Sequence, residues 1–299
     1  MTAFSVNIRT ITFILIAIVA TVSLIHILQE YQSRASVLSY EDKGDIVREA
    51  SASLPLFSKK CSNGRLQQGW QDLQKVLLRN FAPTATADLK NYQPDLQGSA
   101  DVGFIFDELL NGAMNSTRSD LFVIIEIGSF KGKSTVHMAN ACRNVALSKQ
   151  KKCVLIAVDV WLGTPYIQIS KSKIYINVDF SLFKVFYSNM RVLNLTEIVY
   201  PLRLTSNMAA HVLHCFRISA DIVFIDGDHE YEAVLRDIKS YYPLVRKNGF
   251  LFGEGINSNW PGVDQAVVDF SKIKRVIVVP KKRFWVIRKI NEDEHFFRL

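Results

Sequence analysis

The chain has 299 residues, of which 48% are apolar and 21% charged, so it has enough apolar material for a sizeable core and is not an intrinsically disordered protein. Its formal net charge of +8 is spread over short clusters such as Lys149/Lys151/Lys152, Lys272/Lys274/Arg275 and Lys281/Lys282/Arg283, which read as solvated faces; no aromatic-interleaved basic motif points to nucleic acid. The four cysteines, Cys61, Cys142, Cys153 and Cys215, have neither CxxC nor metal-ligand spacing, which argues against zinc.

Residues 1–9 form a short tail. From Thr10 to Gln29 there is no Lys, Arg, Asp or Glu, and about twenty such apolar residues span a bilayer as a helix. A cleaved signal peptide would have a shorter apolar core and a small-x-small exit, so 10–29 reads as an uncleaved transmembrane anchor. Arg9 before it, against a slightly acidic stretch after it, places the tail in the cytoplasm and the large domain in a lumen. Residues 30–63 read as a polar stalk with a short helix at 45–51, and 64–299 as the main domain with a helical extension at its start. In that extension Trp70, Leu73, Val76 and Leu77 recur at helical spacing over 65–81, so this helix is expected to pack on the domain. A connection over 83–99 and a helix over 102–114 follow.

From Leu121 onward, apolar runs alternate with amphipathic segments. Strands are predicted at 121–127, 153–159, 197–200, 221–226 and 250–253, with helices to 147 and over 181–193, 206–215, 231–245 and 262–270. Two adjacent strands, 275–279 and 284–287, close the chain. Such alternation builds an α/β fold, a mainly parallel sheet covered by helices on both faces.

The richest segment joins strand 121–127 to its helix: Glu126-Ile-Gly-Ser-Phe-Lys-Gly-Lys-Ser134. Gly128 and Gly132 allow a tight turn and close approach of a ligand, and the helix N-terminus suits a polar or anionic group. A phosphate-binding P-loop needs four residues before its Gly-Lys-Ser, but only Ser129, Phe130 and Lys131 stand here, and Glu126 would face a triphosphate badly. Asp221–Asp226 keeps a nucleoside-triphosphatase as an alternative. The next strand ends in Asp159, placed to accept bonds from ribose hydroxyls and so favouring a nucleoside cofactor. Phe130 and Lys133 break the dinucleotide glycine pattern, which disfavours nicotinamide.

With Asp159-Val-Trp-Leu-Gly163, Phe224-Ile-Asp-Gly-Asp-His-Glu-Tyr231, Tyr242–Gly253, Trp260-Pro-Gly-Val-Asp-Gln-Ala-Val267 and Phe284–Lys289 following in order, residues 100–299 resemble class I S-adenosylmethionine-dependent methyltransferases. The resemblance implies a Rossmann-like, seven-stranded sheet ending in an antiparallel hairpin. It implies that Glu126, Gly128, Ser129, Gly132 and Ser134 surround the amino-acid part of S-adenosylmethionine, that Asp159 holds its ribose, and that Thr205 and Ser206 flank its adenine. Trp161 is either a wall beside the adenosine or a core residue. Asp226, ending a buried strand, and His229 are expected near the reacting centre with Glu254 assisting, although Asp228 and His229 also read as a helix cap and its partner. Related sequences often have Gly-Asp-Asp where this chain has Gly253-Glu254-Gly255. Two readings follow: a thin oxygen site for magnesium from Asp226, Asp228 and Glu254, or no metal.

The expected activity is O-methylation of a hydroxylated small molecule or sugar, and the rival from another class is a non-catalytic scaffold on the same fold. Cys142, late in one helix, and Cys153, opening the next strand, are placed to meet in an oxidising lumen; the alternative is two ordinary buried cysteines. Asn115-Ser-Thr117 and Asn194-Leu-Thr196 are glycosylation sequons that by themselves do not settle the compartment.

Overall fold

Alternating side chains along each central strand feed two separate apolar layers. On β1 (Leu121–Ile127), Val123, Ile125 and Ile127 enter one core while Phe122 and Ile124 enter the other; on β2 (Lys152–Asp159) the same split separates Val154, Ile156 and Val158 from Leu155 and Ala157. This computed structural model describes residues 69–81, 89–98, 101–163, 182–256 and 260–290. The expected anchor at 10–29, the stalk at 30–63 and the helix at 45–51 lie outside them. Among the described residues no helix is long and apolar enough to cross a membrane.

The helices are α1 (Trp70–Phe81), α2 (Gly103–Ser116), α3 (Lys133–Ser148), α4 (Leu182–Val192), α5 (Ser206–Cys215), α6 (Tyr231–Tyr241) and α7 (Pro261–Lys274). The remaining strands are β3 (Val199–Arg203), β4 (Ala220–Ile225), β5 (Val245–Glu254), β6 (Val278–Lys281) and β7 (Phe284–Arg288). Helices α2, α3 and α4 cover one face of the sheet, and α1, α5, α6 and α7 the other. The expected docking of α1 is borne out: Leu73 and Leu77 are buried, Trp70 meets Tyr200 edge-on at 4.8 Å, and Gln74 donates to the Tyr200 hydroxyl.

The sheet has seven strands in the order β3-β2-β1-β4-β5-β7-β6; β1 to β5 pair in parallel, and β7 runs antiparallel to both β5 and β6. The closing strands thus form the expected hairpin, with β7 inserted beside β5. Several boundaries differ from the sequence reading: β3 lies at Val199–Arg203 rather than 197–200, α7 runs on to Lys274 so that β6 begins only at Val278, and two further shifts have a local cause. β5 starts at Val245 and reaches Phe250 through a register irregularity opposite Ala220 and Ile222, with Asn248 at φ 64, so the Lys-Asn-Gly signal marks a bulge inside the strand. Helix α6 stops at Tyr241 because Pro243 cannot extend it; a short 3₁₀ turn, Tyr242–Leu244, follows, and the buried Lys289 ammonium donates to the Tyr242 and Pro243 carbonyls.

Candidate active site

The chain runs from β1 outward to β3 on one side and from β4 outward on the other, so the switch point lies between β1 and β4. In open parallel sheets ligands bind at such a point, beyond the carboxyl ends of the strands. Here the two strand ends are tied together, with Asp226 N–H donating to the Ile127 carbonyl and Gly128 N–H to the Val158 carbonyl. Gly128 has φ +91, and a Cβ there would lie 2.1 Å from the Asp226 carbonyl oxygen, so only glycine permits this approach. A cleft of about 550 Å³ opens above, within the range of small-molecule sites.

Glu126 lies beneath the turn, fully buried. Its carboxylate accepts from Ser129 Oγ at 2.9 Å, from Ser134 Oγ at 2.5 Å and from the Thr135 hydroxyl. Burial pushes its pKa up to about 7, against the opposing pull of those hydroxyls. Asp159 is the second organiser. One oxygen accepts from Phe130 N–H at 2.9 Å and the other from Trp161 N–H at 2.6 Å, which binds the glycine turn to the end of β2. Burial raises its pKa and these backbone donors oppose the rise. A carboxylate has about four acceptor sites, so Asp159 retains capacity for a ligand hydroxyl beside these backbone donors.

A third group of contacts clasps the turn from outside. Segment 89–98, read from sequence only as a connection, lies along it: Lys131 Nζ is 2.6 Å from Asp95, Lys133 Nζ donates to the Gly98 carbonyl, and Asn189 bridges Asp95 and the Lys131 carbonyl. These partners are too distant in sequence for any local pattern to signal.

Gly128, Ser129, Ser134, Asp159, Thr205, Ser206, Asp226, Asp228 and His229 all line the cleft, as their motifs imply. Four expected residues stand elsewhere. Glu126 acts from below, and Gly132 is the N-cap of α3. Trp161 is 1% exposed: its indole N–H donates to the Phe130 carbonyl and its ring packs on Phe183 and Phe186, so the reading as a wall beside the adenosine gives way to the core reading. Glu254 sits behind the cleft, paired with Arg283 at 3.2 Å.

Asp237, Arg236, Trp260, Gln97 and Lys133 are additional lining residues. Asp237 was legible in principle, because it is a carboxylate on the buried stripe of α6 between Val234 and Ile238. It accepts from Ser206 Oγ at 2.7 Å, and burial raises its pKa to about 6. Thr205 is the N-cap of α5, its hydroxyl accepting from Met208 N–H.

At the far end, His229 Nε2 is 3.9 Å from Asp226 Oδ1, and its ring tilts against Trp260 with centroids 4.9 Å apart. Burial lowers the imidazole pKa, against the pull of Asp228, and so favours the neutral base near pH 7. Burial, then Glu254 and Glu126, hold Asp226 well above the usual carboxylate range, with Arg283 opposing. Asp228 also lines the cleft and accepts from Glu230 N–H at 2.9 Å, a turn just before α6; the N-cap itself is Glu230 and no side chain caps it, so Asp228 is not the helix cap that the sequence offered as an alternative. Among the described residues no group of three or more His, Cys, Asp or Glu side chains is arranged to hold a metal ion, so the Asp226, Asp228 and Glu254 oxygen site is not assembled.

Residues 125–255, which run from β1 through the end of β5, match the family described as a methyltransferase domain. This stretch of the chain is a methyltransferase domain. An uncharacterized protein of Acanthamoeba polyphaga mimivirus is 25% identical over 170 residues, covering 54% of this chain and 66% of that protein. Among solved structures, CalS11, a TDP-rhamnose 3'-O-methyltransferase of calicheamicin biosynthesis, aligns with TM-score 0.46 and 16% identity, covering 73% of this chain and 91% of that one. An O-methyltransferase from Bacillus cereus in complex with SAH aligns with TM-score 0.42 and 15% identity, covering 81% and 100%. The methyltransferase domain therefore contains the whole glycine turn, Asp159, Asp226 and His229.

Proposed function

We propose that this methyltransferase domain moves a methyl group from S-adenosylmethionine to a hydroxyl of a small molecule or sugar, on the lumenal side of a membrane that residues 10–29 anchor it to. The observation that carries the reading is the convergence of the Gly128–Ser134 turn, Asp159, the Ser206–Asp237 pair and Asp226/His229 on one cleft. Those groups fit the donor: Gly128, Ser129 and Ser134 for its amino-acid part, Asp159 for the ribose hydroxyls, and Ser206 with Asp237 at the adenine edge. When bound, the donor supplies an electrophilic methyl on sulfur. The chain's part is to orient the acceptor in line with that methyl and to take the hydroxyl proton, for which neutral His229 is the base.

The geometry speaks against nucleoside-triphosphate chemistry. In a P-loop the serine hydroxyl serves magnesium and the lysine reaches phosphates, whereas here Ser134 is bonded to buried Glu126 and Lys133 to the Gly98 carbonyl. The scaffold reading draws its support from the withdrawal of Glu254 from the cleft.

Calorimetry on the purified protein with S-adenosylmethionine, S-adenosylhomocysteine and ATP separates these readings. The two sulfur compounds are expected to bind and ATP not; binding of ATP alone overturns the assignment. A methylated product identified by mass spectrometry from a panel of hydroxylated acceptors would exclude the scaffold.

A further inference from the structure

Behind the cleft, Glu254 is nine-tenths buried, with its side chain 9% exposed. One of its oxygens is 3.2 Å from Arg283 Nε, while the other, Oε2, has no hydrogen-bond partner among the described residues. An unpartnered buried carboxylate oxygen is costly, and it points to a ligand set that is left incomplete. Ile225 pairs with Gly253 across β4 and β5, so Asp226 and Glu254 follow side by side; Glu254 raises the Asp226 pKa, and Arg283 opposes the rise at both carboxyls.

The next residue closes the set to a further carboxylate. Gly255 has φ +102, and a Cβ there would lie 3.0 Å from Val263 Cγ2 and 3.1 Å from His229 Cδ2, so an aspartate is opposed by the backbone conformation and by its neighbours. Arg283 helps to hold that conformation: its carbonyl accepts from Gly255 N–H at 2.9 Å and from Ile256 N–H at 3.1 Å. With Asp228 bonded to Glu230 N–H and Arg283 paired with Glu254, no group of three or more such side chains among the described residues is free to hold a divalent cation. The guanidinium acts on both carboxyls, and Lys133 acts on Glu254 as well.

We propose that Arg283 is a built-in substitute for a metal ion: its guanidinium supplies the positive charge beside Asp226 and Glu254, and its removal uncovers a latent divalent-cation site made by these two carboxylates. This rests on the reading of the cleft as a methyl-transfer site only in assigning Arg283 a positioning role there. The pair itself is a feature of the fold, with Arg283 on the turn between β6 and β7 and Glu254 at the end of β5.

Electron paramagnetic resonance titration of Mn²⁺ into the full chain tests it, with each sample checked for cooperative melting and for S-adenosylhomocysteine binding. Wild type and Arg283→Lys should hold no Mn²⁺ more tightly than about 1 mM, the weak end of oxygen sites. Arg283→Met, or Arg283→Gln should Met not fold, should gain a site at least about tenfold tighter, and adding Glu254→Gln should abolish it. A wild-type Mn²⁺ site that disappears on Glu254→Gln overturns the proposal, as does a folded Arg283 variant that gains none. Loss of S-adenosylhomocysteine binding in the wild type would count against the donor site and leave the Arg283 result to stand or fall on Mn²⁺.

Discussion

Glu126 is held by three hydroxyl donors and, among the described residues, no cation, so its burial is only partly compensated, and its pKa of about 7 lies above the ordinary value of 4.5. The folded state therefore binds its proton more tightly than the unfolded chain does. The stability this group contributes is full below pH ~4.5 and is lost as pH rises through about 7, a swing of roughly 3 kcal/mol. Urea melts of wild type and Glu126→Gln across this range should diverge by that amount, with the wild type losing more toward neutral pH; parallel curves would show that the carboxyl is already ionised when buried. Asp159 has a different task, since its oxygens already tie Phe130 and Trp161. Asp159→Ala should weaken donor binding by about 1–3 kcal/mol, the scale for leaving hydrogen-bond partners unpaired, and should also lower the melting temperature because the turn loses its tether. Unchanged affinity for S-adenosylhomocysteine in the folded variant would remove Asp159 from the ribose.

Helix α3 and strand β2 carry the two halves of the donor site, at the start of one and the end of the other, and Cys142–Cys153 joins them near the middle of α3 and the start of β2, with Cα atoms 6.1 Å apart. Closing this short loop restricts the unfolded chain, and the loop-entropy relation gives about 2–3 kcal/mol. Cys142→Ser with Cys153→Ser should cost that much in a denaturant melt, and both thiols should resist labelling until the native protein is reduced; equal labelling without reductant would remove the bond. Much of this element framework was legible. β1 and α5 fall where the periodicity places them because their apolar patterns are unbroken and bounded by turn residues, and the Glu126-to-Ser134 turn declared itself by its glycines. What escaped the sequence depends on contacts distant along the chain. The 89–98 clasp is fixed by Asp95 and Gly98 meeting Lys131, Lys133 and Asn189. Trp161 could not be assigned from its place after a strand, because its φ of 50 turns the ring inward onto Phe183 and Phe186. Arg283 sat in a basic cluster that read as solvated, and only the placement of β7 beside β5 brings it to Glu254.

At the scale of the whole molecule, the sheet order gathers the chemistry at the carboxyl ends of the central strands, and the choice of compartment turns on features away from them. Cys142, Cys153 and Cys215 are all disulfide-bonded, a state that an oxidising compartment maintains and a reducing cytosol does not. Asn115, in the last turn of α2 and accepting from Lys149 Nζ, and Asn194, in the turn after α4, are both exposed. If residues 10–29 anchor the chain with the domain in the lumen, these asparagines meet the glycosylation machinery during synthesis. Expression of the full chain in a eukaryotic cell should then give a membrane-bound product whose mobility shifts on N-glycosidase treatment, a shift abolished by Asn115→Gln with Asn194→Gln. In intact microsomes the domain should resist added protease until detergent opens the vesicle. An unglycosylated domain that protease removes from sealed microsomes would place it on the cytoplasmic face, where reduction would be expected to open its disulfides and cost α3 and β2 their covalent tie.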